Sequence, residues 1–160
     1  MATEREWTPH KIGEFSLGRW VGDTLHMAGL VARYPGSGRA VNGYADVPEE
    51  VAAQFGADHI SVDIREEGIV CQTWAIFDIA RQHLENQGLS LAHIAHMLVL
   101  FTDLRDFPGY QRVRKATFPT DPPPATVVEI KELLPSPETL LEIQITAARE
   151  LPQNLLINPT

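Results

Sequence analysis

Three features of this 160-residue chain predict an α+β fold, with one mixed sheet backed by two helices. Residues 71–104 read as a helix, a turn and a buried strand. An alternating hairpin precedes that stretch and another follows it. The resulting element order is ββ, α, β, α, ββ, and two amphipathic helices can cover only one face of a sheet.

The central helix comes first in the argument. Val70, Trp74, Ile76, Phe77, Ala80 and Leu84 recur at roughly helical spacing. Gly88 follows the last of them and suits the left-handed residue that closes a helix. From Ile94 to Phe101 the sequence is almost unbroken apolar, which fits a strand inside a sheet. His93 and His96 then fall on opposite faces of that strand.

Before this core, residues 12–20, the turn Val21-Gly22-Asp23 and residues 24–33 read as a hairpin. Alternation places Leu25, Met27 and Val31 on one face and His26, Ala28 and Leu30 on the other. Residues 34–69 are irregular, with a Gly/Pro/Asn loop and a short helix over PEEVAAQF, where Pro48 and two acids suit a first turn. A loop region this long inside a domain is usually functional or mobile. After the buried strand, Asp106 and Pro108 open a second helix, which the prolines from Pro119 to Pro124 end. Residues 125–134 and 139–148 make the closing strands. Val128 and Ile130 share one face, as do Leu141, Ile143 and Ile145; Val127, Glu129 and Glu142 are assigned to the other. One face of the sheet is then half polar, which suits a subunit interface containing a pocket.

Composition excludes some functions. Thirteen Lys plus Arg against twenty-one Asp plus Glu give a net charge of −8, which disfavours nucleic acid and anionic membrane as partners. No run of about 18 apolar residues is present to span a membrane, and the first eleven residues lack an apolar signal region, so a cytoplasmic setting is expected. The single cysteine, Cys71, is expected to be structural. Trp74 is expected in the core, residues 1–11 are expected to be polar and loose with Trp7 a candidate to dock, and His10, His59 and His83 are expected at the surface. The spacing of His and Cys offers no metal site, and no cofactor is expected.

The segments GDTLHMAGL, Gln72-Thr73, Leu84 with Gly88-Leu89-Ser90, Thr102-Asp103-Leu104 with Asp106-Phe107, and PATVVEIKELLPSPETLLEIQITAA together resemble the RidA (YjgF-like) family. The resemblance spans most of residues 12–149 of a single domain, residues 1–160, with residues 34–69 expanded. It implies the chorismate-mutase-like fold, a six-stranded mixed sheet with two helices packed on one face. It also implies a homotrimer with a small-molecule ligand in clefts between subunits, and hydrolysis of enamines and imines to ketones and ammonia. The family's site carries over in part. Its carboxylate-gripping arginine matches Ala125, its serine matches Ala28, its tyrosine matches Phe15 and its asparagine matches Gln111. Only its water-orienting glutamate is kept, as Glu142. Leu30 and Val127 are expected to line the same cleft. Glu129 is a candidate second acid, and His26 a candidate acid or base near neutral pH. Arg39 and Arg65 are candidates to replace the missing arginine. The alternative is a ligand-binding or regulatory trimer without chemistry.

Overall fold

A computed structural model describes residues 16–33, 40–56 and 66–150. Five strands form one mixed sheet: β1 (Gly18–Val21), β2 (Thr24–Met27), β3 (Ile94–Phe101), β4 (Ala125–Glu129) and β5 (Leu141–Ala148), in the spatial order β1-β2-β5-β3-β4. All neighbours are antiparallel except β3 and β4. Three helices accompany it: α1 (Glu49–Gly56), α2 (Glu66–Asn86) and α3 (Phe107–Thr117).

The long helix α2 begins five residues before Cys71 and buries Ile69, Val70, Ile76, Ala80 and Leu84. Gly88, at φ 74°, ends it as expected, and Leu89 N–H closes back onto the Leu84 carbonyl. Gly22, at φ 59°, makes the β1-β2 turn possible. Asp103 starts the turn into α3 by accepting from Arg105 N–H, and Pro108 occupies the first turn of α3. Tyr110 of α3 meets Phe101 of β3 edge to face, with ring centroids 5.4 Å apart. The core lies between α2, α3 and the side chains Met97, Val99, Phe101, Leu141, Ile143, Ile145 and Ala147. Cys71 is fully buried, and its thiol is pushed up to about 12, chiefly by that burial. It is a packing residue, not a nucleophile. Trp74 packs against the same core.

Several sequence expectations change. Five strands are found among the described residues, as in the element order read from the sequence, where the resemblance implied six; the strand expected over 24–33 is broken after Met27, and only the isolated bridges Leu30↔Ile143 and Arg33↔Ala40 continue it. Pairing of β2 with β5 follows Leu25↔Ala147, whereas beyond the break Leu30 pairs with Ile143, one residue out of step. A bulge at Ala28-Gly29 absorbs the extra residue. It turns Leu30 and Ala32 into the core, so Leu30 is not on the face of His26. β4 stops at Glu129. Its parallel register sets Ala125 beside Met97, Val127 beside Val99 and Glu129 beside Phe101. Neighbouring partners in a sheet share a face, so these three stand on the helix side, while Thr126 and Val128 stand on the other. His93 is not in the strand. It sits in the turn before β3, where its Nδ1 accepts from Ser90 N–H at 3.0 Å.

The approach to β5 is pinned from both sides. Gln72 of α2 is buried; its amide donates to the Glu138 carbonyl at 2.7 Å and accepts from Leu140 N–H at 2.9 Å. The Arg33 guanidinium, also buried, donates to Ser136 and Thr139. Replacing Gln72 by Met keeps the volume but strips partners from two backbone groups. The expected cost is about 1–3 kcal/mol, read as a lower urea midpoint with an unchanged slope.

Candidate functional site

The face of the sheet away from the helices carries the residues left over once the core is filled. On β5 these are Glu142, Gln144, Thr146 and Ala148, since Leu141, Ile143, Ile145 and Ala147 point inward. Pairing fixes their neighbours. Leu100 lies beside Glu142 and Leu98 beside Gln144, with Val128 beyond Leu100. Leu98 and Leu100 are half-buried and Val128 is exposed. Glu142 therefore stands in an apolar row.

On its other side Glu142 lies against Gly29. A methyl group built on Gly29 would fall 1.9 Å from Glu142 Oε1 and 2.5 Å from Cδ. Only a residue without a side chain leaves room for the carboxylate there. The bulge thus does two things: it sends Leu30 inward, and it opens a notch that receives Glu142. Burial raises the Glu142 pKa above the ordinary carboxylate value.

A second row crosses the same face. His26 of β2 and His96 of β3 both pair with Thr146 of β5, and Arg19 of β1 pairs with His26. His96 Nε2 lies 3.2 Å from Thr126 Oγ1. His26 and His96 are 70 positions apart in sequence, and nothing local signals that they share a row; only the strand order does.

Other site candidates fall elsewhere. The Glu129 carboxylate accepts from Leu104 N–H at 2.7 Å and caps the turn that leads into α3. Val127 packs against the core. Gln111 belongs to α3, on the helix side of the sheet. Ala125 is exposed at the start of edge strand β4, on the same side. Ala28 sits in the bulge beside Gly29, half-buried. Phe15, Arg39, Arg65, Trp7, His10 and His59 lie outside the described residues. Within one chain, then, Glu142 is separated by the sheet from Ala125, Val127, Glu129 and Gln111. Among the described residues no group of three or more His, Cys, Asp or Glu is placed to hold a metal ion. No helix among them is long and apolar enough to cross a membrane.

Comparison with known proteins agrees with this arrangement of strands and helices. The family model described as Endoribonuclease L-PSP matches residues 39–149. A Klebsiella pneumoniae protein whose description proposes an endoribonuclease is 32% identical, over 84% of this chain and 98% of that one, with a TM-score of 0.78. RidA from Psychrobacter sp. PAMC 21119 has the same fold, with 20% identity, coverage of 88% and 92%, and a TM-score of 0.67. So does the Escherichia coli YjgF gene product, with 22% identity, coverage of 93% and 97%, and a TM-score of 0.66. No curated protein matches the chain. The chain belongs to the Endoribonuclease L-PSP family, which includes the YjgF and RidA proteins.

Two outcomes are expected at Glu142. The folded protein holds the Glu142 proton more tightly than the unfolded chain does, so this group's contribution to stability falls as pH rises through the ordinary carboxylate range. Glu142→Gln cannot ionise, so between about pH 4 and pH 7 its urea midpoint should decline less than that of the parent. Gly29→Ala should push the carboxylate out of its notch into water and bring its pKa back down. Carboxyl-carbon NMR titration of Glu142 checks this, and an unchanged pKa would contradict it.

Proposed function

We propose that this chain is a small-molecule hydrolase of the RidA type, releasing ammonia from an imine, enamine or related nitrogen-bearing compound. The reading rests on Glu142. It matches the family's water-orienting glutamate, lies in an apolar row and has a raised pKa. A carboxylate so placed accepts a proton better near neutral pH than one in water. Water adds to the C=N carbon, Glu142 takes its proton, and the nitrogen is protonated in turn. The resulting amino alcohol loses ammonia and leaves a carbonyl product.

The same reading calls for a second copy of the chain. Glu142 and the positions matched to the family's arginine and asparagine, Ala125 and Gln111, lie on opposite sides of the sheet. No small ligand can touch all three within one subunit. A homotrimer with clefts between subunits brings such positions together. The half-apolar open face and the exposed edge of β4 are the surfaces available for it. A single cytoplasmic domain over residues 1–160 completes the proposal. The expanded 34–69 segment, with Arg39 and Arg65, is the place to look for a substitute anchor.

Ala125 supports a shifted substrate. Without a guanidinium there, a substrate carboxylate loses a bidentate partner, so a less charged substrate fits better. The same methyl group favours the second reading, a trimer that binds a ligand without turning it over. The endoribonuclease descriptions of the family and the Klebsiella relative point to RNA. The His26-Thr146-His96 row is the feature here that would serve RNA cleavage, and the net charge of −8 opposes it.

Ammonia release from aliphatic and aromatic imines is the test, with the parent protein beside Glu142→Gln. A loss of about 10²-fold or more is expected, in the range for removing a general base. Equal rates for both proteins, at background, would favour the ligand-binding reading. Ala125→Arg should improve the affinity for 2-imino or 2-keto carboxylates by about 2 kcal/mol. Light scattering at micromolar concentration should give three times the mass of the chain, and a monomer would contradict the shared cleft.

A further inference from the structure

A cavity of about 360 Å³ lies on the other side of the sheet from Glu142, between the β1-β2 hairpin and the C-terminal end of α2. Among the described residues it is lined by Ser16, Leu17 and Gly18, Trp20, Leu25 and Met27, and by His83 and Gln87. Leu25 and Met27 belong to the inward face of β2, so the cavity opens into the edge of the core, not onto the row of Glu142. Its role is independent of any chemistry at Glu142. We propose that it is a second small-molecule site, which takes an uncharged single-ring aromatic alcohol of the phenol class.

Three observations carry this. The first is shape and lining. Leu25, Met27, Leu17 and the indole of Trp20 give apolar walls with room for one substituted ring. The second is the rigidity of its aromatic wall. The Trp20 indole N–H donates to Gln87 Oε1 at 3.0 Å, and the Arg149 guanidinium sits 4.2 Å from the ring centroid. Held by both contacts, the indole needs no rearrangement to receive a ligand. The third is His83. Against the expectation of a surface position its Nε2 is buried, and among the described residues it has no hydrogen-bond partner. A buried polar atom left so is costly, and a ligand that pairs with it gains what the empty cavity lacks. A hydroxyl can donate to or accept from an imidazole nitrogen, so it suits either tautomer. Burial also lowers the pKa of His83, which keeps the ring neutral and gives a carboxylate or phosphate nothing to pair with.

The experiment is a titration of the full-length protein with phenol and with toluene, which has the same shape but no hydroxyl. The His83 imidazole resonances are followed by NMR. Both probes should saturate, with phenol binding about five- to tenfold tighter. In His83→Leu, toluene should still saturate, which shows the variant folded, and the preference for phenol should vanish. The comparison on the parent protein stands without the variant. Equal affinities for the two probes would overturn the proposal, as would the absence of a saturable shift at His83 up to millimolar concentration. Cross-relaxation between His83 and Trp7 in the ligand-free protein would give the cavity to the chain's own N-terminal residues and would also overturn it.

Discussion

The buried amide of Gln72 fixes where β5 begins. It donates to one backbone group and accepts from another two residues further on, which locks residues 138–140 against α2 in both position and register. β5 then runs between β2 and β3, paired on both sides. Every inward residue of the strand is buried, so a slip of one position would exchange Leu141, Ile143 and Ile145 for Glu142, Gln144 and Thr146. The clasp and the core therefore enforce the same register. That register presents Glu142 to the open face.

Gly29 supplies the complementary constraint. A bulge needs a residue tolerant of close approach, and a desolvated carboxylate needs space beside the backbone. Gly29 meets both needs at once. The apolar row of Leu100 and Val128 covers another side of Glu142. The raised pKa of Glu142 is thus a product of the fold and not of a charged neighbour. Arg33, the buried arginine of the described residues, is committed to Ser136 and Thr139 and reinforces the approach to β5.

The two faces of the sheet differ in what they leave unfinished. On the helix side the edge of the core carries the Trp20-His83 cavity, where the buried imidazole Nε2 meets no hydrogen-bond partner among the described residues. On the open side the apolar residues are half covered and the polar ones form rows. The ion pair of Arg81 with Glu85 on the outside of α2 is solvated and contributes little to either.

Local chemistry in the sequence determined most of the elements. Helical spacing marked α2, glycines marked its end and the first turn, prolines closed α3, and alternation sorted β5 into an inward and an outward set. Those signals depend on residues a few positions apart, so they survive without knowledge of the partners. The outward placement of Glu142 was legible for the same reason, whereas its candidacy as a water-orienting acid came from the family resemblance. What only the tertiary structure decided is which face each alternating set joins. Alternation shows that Val127 and Glu129 go together, but pairing with β3 sends them to the helix side, away from Glu142. One extra residue at Ala28-Gly29 reverses the faces beyond it and buries Leu30. The strand order brings His26 and His96 to the same partner, Thr146. Each of these outcomes depends on hydrogen bonds between strands far apart in the chain, and a period of two along a single strand carries no information about them.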